Sequence, residues 1–345
     1  MLVDESHLLT SPSPTQVLSS AVSPSIMHAQ NLSIPLDSDL LHTTPFYYSP
    51  NQSLFASVSD QTLALAAPVV AYWITSLIFH TLDVSGWKWL DRYRIHDSAE
   101  VNTRNLATRP QVIRAVLFQQ AIQTVLGIFW VSDDGGASQS YTQDIPRLET
   151  HMEDLAHSVL GKAWAEQLFQ TAGPQVVYYT YWWAIPISQF LFAMFVMDTW
   201  QYFLHRLMHV NKFLYKHFHS VHHRLYVPYA FGALYNHPIE GFLLDSFGAA
   251  LSELLSCLTT RQAALFFMFS VCKTVDDHCG YNFPLDPLQM LSGNTADYHD
   301  IHHQVVGIKS NFSQPFFIHW DVLLGTRLTR KDIEVRRQTA RKKAS

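Results

Sequence analysis

Three long apolar stretches constrain the fold of this chain more than any other feature. They run over residues 62–79, 112–131 and 176–197, and each is close to the roughly 20 residues that a helix needs to cross the ~30 Å hydrocarbon core of a bilayer. The third stretch also carries the Tyr and Trp belt of a span that meets lipid headgroups. Because only helices and closed barrels satisfy their backbone in lipid, we predict an all-α integral membrane bundle.

Composition supports a membrane protein. Charged residues make up 15% of the chain, against roughly 25% in an average soluble domain. A net charge of -5 provides no basic surface, so we expect no nucleic-acid partner. Three cysteines without CxxC spacing indicate no disulfide framework.

The sequence divides into four predicted regions. Residues 1–58, rich in Ser, Pro and Thr, predict a disordered N-terminal tail. Residues 59–174 predict N-terminal membrane helices with their connecting loops. A histidine-rich domain is expected over residues 175–330, and a basic tail over 331–345.

Two shorter apolar segments, 242–258 and 263–275, are joined by the sequence TTRQ. Each is marginal in length for a full crossing, so we expect a hairpin that enters the bilayer and returns to the same side. The loop after the first span is basic, and its cations are Lys88, Arg92, Arg94, Arg104 and Arg109. The positive-inside rule assigns this loop, and with it the residues that follow the third span, to the cytosol.

Histidine spacing is the feature that points to chemistry. With 19 histidines in 345 residues, an HxxHH pattern is expected about 0.06 times by chance, and the chain contains two. Together with one HxxxH pattern, they place imidazoles about one helical turn apart. The residues are His205, His209, His219, His222, His223, His299, His302 and His303. Neutral imidazoles bind Zn, Cu, Fe or Ni, and eight exceed the needs of one ion, so we predict a dinuclear metal site. His217 is out of phase with its neighbours and is not expected to be a ligand.

The order of HxxxH, HxxHH, apolar hairpin and HxxHH resembles the fatty acid hydroxylase and sterol desaturase superfamily over about residues 175–326. The stretches KTVDDHCGYNFPLDP and GIKSNFSQPFFIHWD narrow the resemblance to fungal sphingolipid C4-hydroxylases. The resemblance implies two Fe ions held by the eight histidines and by His278. It adds His237, in NHPIEG, as one further candidate ligand.

The same resemblance implies a reaction and its partners. It implies hydroxylation at C4 of sphinganine or dihydroceramide, with O2 as co-substrate and NAD(P)H electrons delivered through cytochrome b5 and its reductase. Lys342 and Lys343 resemble a dilysine retrieval signal. They predict a multi-pass protein of the endoplasmic reticulum membrane, surrounded by membrane lipid, whose site faces the cytosol.

Residues around the ligands have predicted supporting roles. Carboxylates and an amide near the motifs are candidates to accept the second N–H of a bound imidazole. They are Asp198, Asp276, Asp277, Asp300, Glu240 and Asn236. Candidates to line an acyl channel are Phe242, Phe247, Phe266 and Phe267.

Three alternative functions stay open at this point. A sterol C4-methyl oxidase or C5 desaturase shares the ligand set. A histidine-rich metal transporter would repeat polar residues through several spans, whereas these histidines lie almost entirely outside the spans. A non-catalytic lipid-binding regulator would have no need of intact ligand motifs.

Overall fold

The computed structural model describes residues 38–131, 141–290 and 292–344. These residues are largely helical and include no β-strand, which confirms the predicted all-α fold. The helices are α1 (Asp60–Val84), α2 (Ser98–Arg104), α3 (Arg109–Trp130), α4 (Tyr141–Leu160), α5 (Lys162–Tyr179), α6 (Ile185–Val210), α7 (Lys212–His217), α8 (Pro238–Gly241), α9 (Phe247–Leu255), α10 (Thr260–Asp277), α11 (Pro287–Met290), α12 (Ala296–His303), α13 (His319–Leu323) and α14 (Arg330–Ala344).

Short 3₁₀-helical and π-helical turns connect several of these helices. π-helical turns join α5 to α6 at Thr180–Ala184 and α8 to α9 at Phe242–Ser246. The 3₁₀ turns are Ser38–His42, Lys88–Tyr93, His219–Arg224 and Ala230–Leu234.

Three helical runs in the described part of the chain are long and apolar enough to cross a membrane. They are α1, α3 and the continuous run Lys162–Val210, which contains α5 and α6. They include the three predicted apolar stretches except Val131, which caps the end of α3. Large apolar side chains such as Ile74, Ile78 and Phe118 are more than half exposed, as expected for surfaces that face lipid.

The predicted hairpin forms from α8–α9 and α10, and it extends along the full length of α1. At the start of both helices, Arg261 Nε lies 2.6 Å from Asp60 Oδ2. At the other end, Tyr281 Oη donates to Asp83 Oδ1 over 2.9 Å. α1 and α10 therefore run side by side in the same direction, and both ends of the hairpin lie at the end of the bundle where α1 finishes.

The connection within this hairpin differs from the prediction. TTRQ was expected to link the two segments, but Thr259 and Gln262 form a capping box that starts α10. The reciprocal bonds satisfy backbone N–H groups of the first turn, so these residues initiate the helix. The turn itself precedes them.

Part of the predicted N-terminal tail is packed. Tyr47 and Tyr48 place their rings 6.5 Å and 5.0 Å from the Trp182 ring, between centroids. The predicted disorder does not cover residues 38–58, because their aromatic side chains find apolar partners beside α4 and α5. Residues 1–37 lie outside the described residues.

Candidate metal centre

Nine buried histidines converge at one end of the bundle, opposite the α9–α10 turn. They form two groups, and the ligand atoms within each group lie within 4.8 Å of one another. The first group is His205, His209, His219, His223 and His302, and the second is His222, His278, His299 and His303.

Four elements bring these side chains together. The last turns of α6 carry His205 and His209 on one face, and the 3₁₀ turn His219–Arg224 folds back against them. α12 provides the second HxxHH motif. His278 follows directly as the C-cap of α10.

Most of these rings are oriented by a bond from Nδ1 to the backbone. His205 donates to the Phe312 carbonyl over 2.8 Å and His303 to the Leu225 carbonyl over 2.8 Å. The same bond is made by His222, His278 and His302 to the carbonyls of Tyr235, Thr274 and Ser310. Because a carbonyl oxygen can only accept, Nδ1 carries the proton and Nε2 keeps a free lone pair. That tautomer is the one that binds metal through Nε2.

His219 is oriented by a carboxylate instead. Its Nδ1 donates to Glu240 Oε1 over 2.5 Å, and both side chains are 1% exposed. A bond of this kind fixes the ring and raises its basicity as a ligand. Of the six residues predicted for such a role, Glu240 is therefore the carboxylic side chain that bonds directly to a clustered histidine.

The spacing of the ring nitrogens fits a metal. Nε2–Nε2 distances among His205, His209, His219 and His223 are 2.7–3.2 Å. A metal–nitrogen bond of about 2.1 Å would hold neighbouring ligand nitrogens of an octahedron about 3 Å apart. The buried Nε2 of His302 has no hydrogen-bond partner among the described residues. Converging lone pairs and an orphaned buried nitrogen are what a bound cation satisfies.

Electrostatics keep these imidazoles neutral. Burial and the neighbouring His278 lower the pKa of His222 to about 3. Burial likewise lowers the pKa of His278 to about 4, although its bond to the Thr274 carbonyl opposes the shift. Both rings are neutral at pH 7, as metal ligation requires.

The structure does not bring the candidate ligand His237 into either group. Its Nδ1 accepts a bond from the Ile239 backbone N–H over 3.2 Å, which caps α8. Its ring packs 5.0 Å from Phe218. His237 therefore starts the helix that carries Glu240, and we do not propose it as a ligand. His217 is exposed and lies outside both groups.

The other predicted carboxylates form hydrogen bonds with residues other than the clustered histidines. Asp198 accepts the backbone N–H groups of Phe316 and Phe317 over 3.0 and 2.7 Å. Its spacing from His205 along α6 indicated a shared face, yet the loop before α13 supplies closer donors. Asp276, Asp277 and Asp300 bond to Gln289, to Lys273 with Asn294, and to His96 with Arg330, respectively.

An apolar cavity of about 520 Å³ lies beside the histidines, between α1, α3, α6, α9 and α10. It shares Gln201, Asp245, Thr274 and Pro315 with a small pocket lined by ligands of both groups. This volume is within the range of roughly 300–1,000 Å³ typical of small-molecule sites. A bound chain in the cavity would end next to the ring nitrogens.

Three of the four phenylalanines predicted to line a channel do line this cavity, namely Phe242, Phe247 and Phe267. Phe266 does not, because it is fully buried against Phe190 and Phe316. Helical periodicity separates it from Phe267 by about 100°.

Sequence reasoning missed Asp245. It stands in the apolar segment GFLLDSF, and an ionisable residue within such a segment marks a candidate functional position by default. Its Oδ2 accepts a bond from Gln119 Nε2 over 2.9 Å, at the junction of the cavity and the metal-facing pocket.

Comparison with known proteins gives consistent similarities. The chain is 47% identical to sphingolipid C4-hydroxylase SUR2 of Saccharomyces cerevisiae, over 80% of this chain and 74% of the relative. It is 43% identical to sphinganine C4-monooxygenase 1 of Arabidopsis thaliana, over 78% and 88%. A protein named very-long-chain aldehyde decarbonylase GL1-9, from Oryza sativa, is also 43% identical, over 79% and 90%.

Similarity to sterol enzymes is weaker. Methylsterol monooxygenase 1 of Rattus norvegicus is 34% identical over 42% of this chain and 48% of its own length. No solved structure matches the chain. The sequence profile of the family described as Fatty acid hydroxylase matches residues 190–326, which include all nine clustered histidines. Together with relatives that align over most of its length, this match shows that the chain belongs to the fatty acid hydroxylase family of enzymes.

Proposed function

We propose that this protein is a membrane di-iron monooxygenase that hydroxylates C4 of sphinganine or dihydroceramide. The observation that carries the proposal is the convergence of nine buried, neutral histidines into two adjacent groups. The substrate class is supported by relatives named sphingolipid C4-hydroxylase and sphinganine C4-monooxygenase. In the net reaction one atom of O2 enters a C4–H bond as hydroxyl. The other atom leaves as water, with two electrons and two protons consumed.

Each group of histidines would hold one iron ion. When bound, the pair of irons supplies activation of dioxygen. The first HxxHH motif contributes to both groups, and so does the second. Nδ1 bonds such as that of His205 to the Phe312 carbonyl aim the ring nitrogens inward. Burial of every ligand keeps water from the reacting carbon.

The apolar cavity would bind the aliphatic chain of the substrate. Its wall is formed mainly by side chains such as Leu126, Phe247 and Phe267. Because it meets the metal-facing pocket at Gln201 and Thr274, a chain lying in it would present a carbon near its polar end to the site. Substrate orientation is then set by the cavity and not by the metals alone.

We also propose that the site faces the cytosol at the endoplasmic reticulum membrane. The basic connection between α1 and α3 lies at the histidine end of the bundle, where Ile95 N–H donates to the Gly280 carbonyl over 3.0 Å. That placement supports a cytosolic site by the positive-inside rule. Cytochrome b5 and its reductase would then supply the electrons from the cytosol.

The test is expression in cells that lack C4-hydroxylated long-chain bases, followed by mass spectrometry of the lipids. The wild type should restore 4-hydroxylated bases, and purified protein should contain about two irons. His302→Ala should abolish the product, whereas the matched variant His217→Ala should retain it. A wild type that leaves these bases absent contradicts the proposal.

The same lipid analysis separates the alternatives. Converted methyl sterols would indicate a sterol oxidase, and alkanes formed from long-chain aldehydes would indicate a decarbonylase. Product restored equally by His302→Ala would indicate a non-catalytic regulator. Zinc uptake into vesicles without any hydroxylated lipid would indicate a transporter.

A further inference from the structure

Asp245 presents an acidic side chain to the junction between the apolar cavity and the metal-facing pocket. It lines both spaces and is partly exposed within them. Gln119 Nε2 and Asn236 Nδ2 lie 2.9 and 3.5 Å from its Oδ2. Among the described residues, no donor reaches Oδ1. Oδ2 is thus held in place by two amide donors, while Oδ1 is available to accept a hydrogen bond from a ligand.

Several acids in the bundle pair with cationic side chains, whereas Asp245, among the described residues, does not. Asp60 pairs with Arg261, Asp277 with Lys273, and Asp300 with Arg330. In the described part of the chain, Asp245 has amide donors and no cationic side chain. A charged carboxylate in apolar surroundings is costly unless a cation compensates it. Within the described residues, Asp198 and Asp276 also form no salt bridge, but Asp245 differs from them because it lines both the apolar cavity and the metal-facing pocket, where a ligand can supply the cation.

We propose that Asp245 binds the ammonium group of a free long-chain base, and that it selects the free amine over the N-acylated form. This inference rests on the proposed C4 hydroxylation. In such a base the nitrogen on C2 lies about 4 Å from C4, from ordinary covalent dimensions. The amine site must therefore lie beside the metals. Asp245 meets that condition, since it shares a pocket with His222 and His278.

The chemistry of the two substrate forms explains the selectivity. An ammonium group carries a full charge and three N–H donors, so it can bond Oδ1 while Oδ2 keeps its amide partners. An amide nitrogen is neutral, has one N–H donor and carries an acyl chain. Bonds to charged groups are stronger than neutral ones by an amount that corresponds to roughly a 10-fold change in affinity.

The test compares wild type and Asp245→Asn on sphinganine and N-acetylsphinganine, using the full-length, iron-loaded protein. The variant should lower kcat/KM for sphinganine by roughly 10- to 100-fold, while the value for N-acetylsphinganine changes by less than about threefold. Asp245→Glu, which keeps the charge, should retain the preference for the amine. Asp154→Asn, an exposed acid on α4, is the matched control and should behave as the wild type.

Binding without turnover provides a second readout. In the absence of reductant, the dissociation constant for sphinganine should rise for Asp245→Asn by the same factor as kcat/KM falls. Because both substrates are measured on one preparation, partial loss of folded protein cancels in their ratio. An unchanged ratio in Asp245→Asn overturns the inference, and so does a wild type that accepts only the N-acyl substrate. A wild type that hydroxylates neither substrate at C4 instead rejects the proposed function itself.

Discussion

Replacing Glu240 by Gln should weaken one metal position and leave the other intact. Glu240 contacts His219, a member of the first histidine group, over 2.5 Å. Within the described residues, the Glu240 side chain forms no hydrogen bond with His222, His278, His299 or His303. The substitution keeps the shape of the side chain and removes its charge, so it isolates the electrostatic part of the interaction.

The magnitude follows from the bond that changes. A hydrogen bond to a charged acceptor contributes about 1.5–3 kcal/mol, against about 0.5–1.5 kcal/mol for a neutral one. The loss of about 1–1.5 kcal/mol corresponds to roughly 10-fold in metal affinity. The second oxygen of Glu240 is buried and has no partner in the described residues. A Gln amide placed there would lack a partner just as Oε2 does, so the upper limit of the expected loss is the roughly 100-fold that mutation of a ligand's hydrogen-bond partner can cost in metal affinity.

Metal content measured during chelator titration checks this prediction. The wild type should lose its iron in the same concentration range at both positions. Glu240→Gln should release about one iron at a 10- to 100-fold lower chelator concentration and hold the second. Glu166→Gln, an exposed acid 3.8 Å from Lys162, is the control and should match the wild type. Release of both irons at the wild-type concentration would refute the reasoning.

Three further predictions test topology, electrostatics and packing. Cys257 is exposed at the α9–α10 turn, whereas the other two cysteines are less accessible. Because this turn lies opposite the proposed cytosolic end, an impermeant maleimide should label Cys257 in sealed microsomes only after permeabilisation. Labelling of intact, cytosol-out microsomes would contradict the proposed topology. The metal-free protein should lose about 2 kcal/mol of unfolding free energy between pH 6.5 and 5.5 from His222 and His278 alone. The reason is that the pKa values of these residues are lowered in the folded state, so only the unfolded state takes up their protons in this range. Chemical denaturation that shows the same stability at both pH values would contradict the assignment. A Cβ at Gly307 would lie 1.9 Å from the Ile301 carbonyl oxygen, so Gly307→Ala should displace the end of α12 and yield protein with less than half the wild-type iron.

The parts of the fold that the sequence predicts are those governed by local rules. Apolar length predicted the positions of α1, α3 and the span shared by α5 and α6, because the bilayer dictates how many residues a span needs. The HxxxH and HxxHH spacing selected residues that the structure brings together. These features need only helical periodicity and lipid as a solvent.

Long-range contacts decided the rest, and no local pattern encodes them. Asp198 bonds to the backbone of Phe316, 118 residues further on, rather than to the nearby His205. Tyr48 packs on Trp182, which removes part of the predicted disorder. The position of the Asp245 carboxylate depends on a hydrogen bond from Gln119, which α3 brings beside it. A partner distant in sequence changes the role of a residue without changing any motif around it.

Adjacent histidines explain why the two groups must form together. Neighbouring residues in an α-helix or 3₁₀ helix point about 100–120° apart, so His222 and His223 cannot face one point. The rings of these two residues lie at 85° to each other, and those of His302 and His303 at 89°. In both pairs one member enters the first group and the other enters the second. Each HxxHH motif therefore bridges two metal positions, and neither position can be assembled unless both motifs are folded against α6 and α10. A pattern with paired histidines thus predicts two separate groups of ligands from helical geometry alone.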